Sequence, residues 1–342
     1  MAGETNGAGF RWQDWTAPRW WPTWLALGFL WLVTRLPFDV ALAIGRGIGH
    51  LAGQVLRSRR RVALVNLRIA FPDRSDTEHR RMALESFEHV GMATVEMGWC
   101  FFRDVADAGT TLIVDREEPG DAAARATAVE NSNARFVIEN TEPIDILHAA
   151  GEAMIFLQPH FTLIELCAHA AAINWPVNAV YDPPKNPMFA AFLVQQRERV
   201  LHRIIDNRHV RDVVRILRNG GILWFSPDQS VSPSHGGVPL RYFGQPALTT
   251  TGTARMLKMS GAKLIPFQPI RERHGRRYRY RFRFLPAVNI DTGDINAATQ
   301  HINDLLEAMV RDQPEQYLWG HKRFKQPGPD YPDPYKPEPR GE

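Results

Sequence analysis

The chain reads as an α/β protein: a central mixed sheet flanked by helices on both faces, preceded by an amino-terminal helical segment that associates with a membrane. Three observations predict this. From about residue 134 onward, strand-like and helix-like runs alternate, as they do when a sheet is covered on both faces. The first 31 residues hold six of the ten tryptophans. And one predicted strand ends at a histidine, His160, in the position where α/β folds place their chemistry.

The amino-terminal segment comes first in the chain. Trp12, Trp15, Trp20, Trp21, Trp24 and Trp31 cluster there, and tryptophan concentrates at the membrane–water interface, where its ring is half apolar and half polar. Trp20 to Thr34 carries no charge and is bracketed by Arg19 and Arg35. As a helix it is about 22 Å long, short of a hydrocarbon core of roughly 30 Å. A second apolar stretch, Val40 to Leu56, contains Arg46 and His50 and is expected on the bilayer surface. It runs into Arg57, Arg59, Arg60 and Arg61, a basic cluster suited to anionic lipid. The expectation is an anchor that dips into or lies on the membrane, with a marginal single span as the alternative. No small-residue cleavage site follows, so a removable signal peptide is not expected. An ordinary buried helix would explain the apolar residues but not the tryptophans.

Residues 76–103 then read as a helix with the apolar stripe Met82, Phe87, Val90, Val95 and Trp99. Strand-like runs follow at 135–139, 153–158, 177–181, 221–226 and 263–268, and helical runs at 162–174, 188–203, 209–218 and 252–260. Residues 277–284, Arg-Tyr-Arg-Tyr-Arg-Phe-Arg-Phe, alternate with period two. As a strand they place Tyr278, Tyr280, Phe282 and Phe284 on a core face and four arginines on the other. A solvated edge is the commoner use of such an arginine face; contact with an acidic partner or lipid phosphates is the other. No nucleic-acid module accompanies it, and nucleic acid is not an expected partner. The domain reading is a tail over 1–19, membrane-anchoring or interfacial helices over 20–61, a catalytic domain over 62–325 and a disordered tail over 326–342, where six of 17 residues are proline.

Composition narrows the chemistry. Two cysteines in 342 residues, Cys100 and Cys167, make no disulfide framework and point to a reducing compartment. The net charge of +4 is carried by 35 Arg against 6 Lys, and arginine suits bidentate recognition of phosphate and carboxylate, although codon bias explains the ratio as well. There is no Gly-x-Ser-x-Gly elbow, no Walker loop and no Gly-x-Gly-x-x-Gly. Cys167 has no evident activating partner and reads as a small buried hydrophobe.

His160-Phe161-Thr162-Leu163-Ile164-Glu165 follows the strand-like run 153–158. A neutral imidazole takes a proton near pH 7, and a carboxylate on its far nitrogen fixes the tautomer and stabilises the cation. Five residues on one helix diverge by about 140°, so the pair meets only if His160 lies in the turn and Glu165 in the first helical turn. Spacing alone favours a plainer reading: a satisfied loop histidine and a helix-start glutamate. A His160/Glu165/His169 metal triad ranks low, because the helical His-Glu-x-x-His spacing is absent; no metal is expected. A second constellation supports the site. The buried run Gly221 to Ser226 ends in Pro227-Asp228-Gln229, whose polar groups would converge on the His160 turn. Thr249-Thr250-Thr251-Gly252-Thr253 opens a helix whose free N–H groups can hold an anion, or serves simply as a cap.

Together these stretches, with Asn207-Arg208, Asn66-Leu67, Phe71-Pro72 and the run Pro314-Glu315-Gln316-Tyr317-Leu318-Trp319-Gly320-His321-Lys322-Arg323-Phe324-Lys325, resemble the blocks of the late lipid A acyltransferases, the lauroyl/myristoyl transferases of Gram-negative bacteria. The likeness runs in order from about Trp24 to Gly328. It implies a glycerol-3-phosphate-acyltransferase-like α/β fold at the cytoplasmic face of the bacterial inner membrane. Acyl carrier protein thioester would be the donor and co-substrate, with no other cofactor. The acceptor would be the hydroxyl of a 3-hydroxyacyl chain on a Kdo-bearing lipid A precursor. Carried over, His160 is the general base and Glu165 its orienting carboxylate, while Arg208, Asp228 and Gln229 fall near the site as substrate-binding residues. Partners would be acyl carrier protein, the lipid A precursor and inner-membrane lipids. One departure stands out: Asp182-Pro183 replaces the family's common Arg-Pro, although Lys185-Asn186-Pro187 is kept. Lys185, Asn186, Arg197 or Arg199 would then share the headgroup binding. The alternatives are acylation of another lipid acceptor, such as a phospholipid, aminolipid or aryl-polyene lipid, and a non-catalytic lipid-binding protein.

Overall fold

A computed structural model describes residues 10–114, 132–325, 328 and 331–336. Eight strands form one sheet: β1 (Thr111–Val114), β2 (Phe136–Glu139), β3 (Met154–Leu157), β4 (Val177–Tyr181), β5 (Arg203–Asp206), β6 (Ile222–Phe225), β9 (Lys263–His274) and β10 (Arg277–Phe284). The order is β1-β2-β10-β9-β3-β6-β4-β5, parallel throughout except between β9 and β10. The sheet is therefore mixed, as expected. A separate hairpin joins β7 (Gly237–Tyr242) and β8 (Gln245–Thr250).

Strand alternation sorts the core into two layers. Met154 and Phe156 of β3 face one side, and Ile155 and Leu157 the other. The first layer is covered by α1 (Trp21–Val33), α2 (Phe38–Val55), α6 (Ile164–Ala172) and α7 (Pro187–Glu198). The second is covered by α3 (Arg57–Ala70), α8 (Val210–Arg218), α9 (Gly252–Ser260) and α10 (Ile295–Asp312). The short α5 (Glu142–Ala149) follows β2 and lends Ile144 to the first layer. The 27-residue α4 (Asp76–Phe102) contributes to both layers and starts with a Ser75/Glu78 capping box.

The amino-terminal helices pack closely on this body. A Cβ on Gly91 of α4 would lie 2.1 Å from the carbonyl oxygen of Gly45 in α2, so the two backbones touch. What α1 and α2 leave outside is apolar. Trp21, Leu25, Phe29, Leu32 and Leu36 are exposed at helical spacing along α1 and its end, as are Val40, Ile48, Leu51 and Val55 along α2. Among the described residues no helix is long and apolar enough to cross a membrane, so the single-span alternative has no support. α1, with 13 residues, is about 20 Å long.

The alternating strand β10 lies inside the sheet, not at an edge. Tyr280, Phe282 and Phe284 are buried in the first layer as expected. Beyond the exposed Arg277 at the strand start, the arginine face is satisfied internally. Arg281 and Arg283 pair with Glu139 of the neighbouring β2, and Arg279 is buried and donates to the carbonyls of Ser132 and Ala134. A solvated edge is thus excluded, because parallel pairing with β2 brings a carboxylate opposite the guanidinium row. Part of the proline-rich tail is docked: Tyr335 is buried, and its hydroxyl bonds Asn66 while receiving the Phe324 N–H.

Candidate active site

β3 and β6 are parallel neighbours, with Leu157 level with Phe225. Three residues beyond each strand end come His160 and Asp228. Equal offsets from paired ends bring the two turns side by side. The Asp228 carboxylate meets His160 twice: Oδ1 lies 2.6 Å from Nδ1, and Oδ2 accepts the His160 N–H at 2.9 Å. Tyr317 donates its hydroxyl to Oδ2 at 2.8 Å. The segment carrying Tyr317 runs beside the turn, where Leu318 N–H bonds the His160 carbonyl and Thr162 N–H the Gln316 carbonyl. His160 is thereby held through its N–H, its C=O and Nδ1, which directs Nε2 as the remaining ring nitrogen.

Asp228 is fully buried, whereas the His160 side chain is 23% exposed. Burial pushes the Asp228 carboxyl up, but the charge of His160 and the hydrogen bonds from His160 and Tyr317 outweigh it and hold the group at about 2. Burial, with the Asp228 charge beside it, pushes the Tyr317 phenol well above its usual range, so it remains a donor. His321, which accepts the Ser230 N–H, is pushed down to about 4 by burial and by neighbouring cations and is neutral near pH 7.

Glu165, expected as the orienting carboxylate, makes no hydrogen bond to His160 among the described residues. It is the second residue of α6 and turns into the first layer, where Arg197 of α7 bonds both its oxygens with Nε at 3.2 Å. The carboxylate on His160 Nδ1 is instead that of Asp228, across the β3–β6 seam. The low-ranked metal triad is also unavailable, since the Glu165 carboxylate is bound by Arg197 and His169 bonds only the Glu165 backbone carbonyl.

A cleft of about 840 Å³ opens over His160. Its apolar walls include Leu193, Leu201, Ile204, Val213, Met256 and Met259. Arg197, Arg208, Asp182, Gln229 and Asn207 also line it. Arg208 is tied to Asp206 through two bonds, at 2.8 and 2.6 Å, and Asp182 accepts from Asn207 at 3.1 Å. Lys185 and Asn186 lie outside the lining. Asn186 caps α7 by accepting the Phe189 N–H and donates to Thr23 of α1. Thr250, the last residue of β8, and Gly252, the first of α9, reach the cleft, and Thr250 Oγ1 accepts the Gly252 N–H. Tyr317, His321 and Arg255 were not singled out from the sequence; the first two sit in the carboxy-terminal block, which carried the only available signal.

An imidazole with one nitrogen on a buried carboxylate and the other open to a largely apolar cleft is equipped to move a proton to or from a hydroxyl. Among the described residues no hydroxyl or thiol is hydrogen-bonded to His160, which fits direct transfer between two bound substrates. Sequence comparisons assign the chain to a family. The bacterial lipid A biosynthesis acyltransferase family matches residues 9–326. Among curated relatives, the chain is 32% identical over 309 residues to the lipid A biosynthesis lauroyltransferase of Escherichia coli, covering 90% of this chain and 92% of that one. It is 28% identical over 313 residues to the palmitoleoyltransferase of the same organism (92% and 94% covered) and 25% identical over 322 residues to its myristoyltransferase (93% and 91% covered). With the family matched over nearly its whole length, this chain is an acyltransferase and belongs to the bacterial lipid A biosynthesis acyltransferase family.

Proposed function

We propose that the enzyme transfers a fatty acyl chain from an acyl carrier protein thioester to the hydroxyl of a 3-hydroxyacyl chain on a Kdo-bearing lipid A precursor. The observation that carries this reading is the His160–Asp228 pair at the floor of the cleft, in a chain of this family. His160 Nε2 takes the proton of the acceptor hydroxyl as its oxygen attacks the thioester carbonyl. Asp228 holds the Nδ1–H tautomer and stabilises the imidazolium, as a buried carboxylate does in a serine-protease triad. The C–S bond then breaks, an ester forms, and the proton passes from His160 to the departing thiolate. Tyr317 keeps Asp228 charged and aligned. Glu165 and Arg197 brace the cleft wall rather than the proton path.

The outward apolar stripes of α1 and α2, with Arg19, Arg35 and the Arg57–Arg61 cluster at their ends, suit a monotopic seat on the inner-membrane surface facing the cytoplasm. The double variant Leu25→Glu/Leu51→Glu should lose co-sedimentation with lipid vesicles.

Incubation with lauroyl- or myristoyl-acyl carrier protein and the Kdo-bearing precursor should yield a product heavier by one acyl group. Full activity in His160→Ala would end this mechanism. A second reading, acylation of another lipid, rests on Asp182 standing at the cleft wall. Mass spectrometry of lipid A from cells with and without the protein separates the two: an unchanged acyl count favours the second.

A further inference from the structure

The two helices at the cleft mouth on the second layer, α8 and α9, present a face of one sign. Every charged residue on them that is exposed as a whole is cationic: Arg211, Arg215, Arg218, Arg255 and Lys258. Asp212, the only acid on either helix, is partly exposed and already bound to Arg215. The helices are tied together, with Arg218 donating to the Met259 carbonyl at 3.1 Å. Two exposed apolar side chains, Val210 at 54% and Met259 at 42%, sit among these charges, and both line the cleft that leads to His160. Arg255 also lines it, and its guanidinium donates to Thr251 at 3.0 Å. The helices that carry the outward apolar stripes, α1 and α2, belong to the opposite layer, and α7 links that layer to the cleft through Leu193 and Arg197.

We infer that the α8–α9 face docks a small acidic protein that presents the acyl thioester to the cleft, while the lipid acceptor enters from the layer bearing α1 and α2. The inference deepens the transfer proposed above and rests on it. A cationic rim around a small apolar centre at the entrance of a site is the complement of an acidic partner surface, and such charges act mainly on encounter and register. A lipid surface would be met on a flat apolar face, and that face is elsewhere in the fold.

The test is the variant Arg211→Glu/Arg215→Glu/Lys258→Glu, none of which lines the cleft. It is assayed with two donors, acyl carrier protein thioester and the uncharged S-acyl-pantetheine. The KM for the carrier-bound donor should rise by about tenfold or more at low salt, as expected for reversal of rim charges. The rate with S-acyl-pantetheine should not change, which also reports that the variant folds. In the wild type, the carrier-bound KM should climb with salt and the pantetheine KM should not. Calorimetry of unacylated carrier protein against wild type and variant reads docking without turnover, with binding lost in the variant. Equal carrier binding or equal KM in the two proteins overturns the docking face. So does a variant that loses only its binding to phosphatidylglycerol vesicles, which would make the face a membrane contact. A wild-type enzyme that transfers from neither donor overturns the proposed reaction instead, and the calorimetric comparison still decides the docking face.

Discussion

The protein contains the same set of parts twice, with opposite outcomes. Glu96 of α4 is buried, bound by Arg271 of β9 and by the hydroxyl of Tyr280, with His89 against the same arginine. Asp228 is buried, bound by His160 and by the hydroxyl of Tyr317, with His321 nearby. In the first cluster the base is an arginine with no exposed surface, so no proton moves and the group fastens α4 to the sheet. In the second the base is an imidazole that opens onto a cleft. A titratable partner and one open edge separate a structural knot from an active site.

Replacing the carboxylate by an amide in each cluster should separate the two most sharply. Asp228→Asn should retain the fold and lose about 10³- to 10⁴-fold in acyl transfer, since the amide favours the wrong imidazole tautomer. A kinetic assay beside a circular dichroism spectrum checks both halves. Glu96→Gln should instead cost about 3–5 kcal/mol of stability by leaving Arg271 buried and uncompensated. Its denaturant midpoint reads that loss, and surviving protein should transfer at near the normal rate.

The tyrosines allow a finer version. Tyr317→Phe and Tyr280→Phe each delete one hydrogen bond to a buried carboxylate, worth about 1–2 kcal/mol. Tyr317→Phe should show that loss in kcat, about tenfold, with a small change in melting temperature. Tyr280→Phe should show it in melting temperature alone. A matching kcat loss in both would remove the distinction drawn between the clusters.

The smallest effect is the pH dependence of stability. Burial pushes His321 down to about 4 and His89 to about 2, so the unfolded chain takes up their protons first. Stability from these neutral rings is complete above the unfolded value near 6.5 and falls with pH, through about 4 for His321 and lower for His89. Asp228, held at about 2, adds a loss that starts only below its unfolded value near 3.9. Urea unfolding at pH 7.5 and 6 should give stabilities that differ by on the order of 1–2 kcal/mol in the wild type, and by about half as much in His89→Gln.

Strands β3, β4, β6, β9 and β10, the His160 turn and the α9 start were legible because local patterning decides them. Pairings across the sheet were not. Asp228 lies 68 residues from His160, and their meeting depends on β3 and β6 being neighbours, which one sequence does not state. Glu165 was close in sequence and therefore the tempting partner, yet α6 carries it away toward Arg197. The arginine side of β10 was misjudged for the same reason: Glu139 is 142 residues from Arg281. β5 was missed: the helical run 188–203 reaches past α7 to its first residue, Arg203, and the three that follow fell in no predicted element. The β7–β8 hairpin turns at Phe243-Gly244, both at positive φ, and Phe243 disguises the turn. α10 carries Ala298, Ile302, Leu306 and Met309 at helical spacing and was readable by the same rule that found α4.

The equal three-residue offset beyond Leu157 and Phe225 makes the His160–Asp228 pairing a matter of counting. Point substitutions inside Gln158-Pro159 or Ser226-Pro227 change the walls of the turns but keep the count. A single inserted residue in one turn, with none in the other, would step His160 and Asp228 out of register while leaving every strand intact. Tolerance here should therefore be graded by length rather than by chemistry. A library of insertions and deletions should show inactive but folded proteins concentrated at these two turns, and restored when both turns are lengthened together.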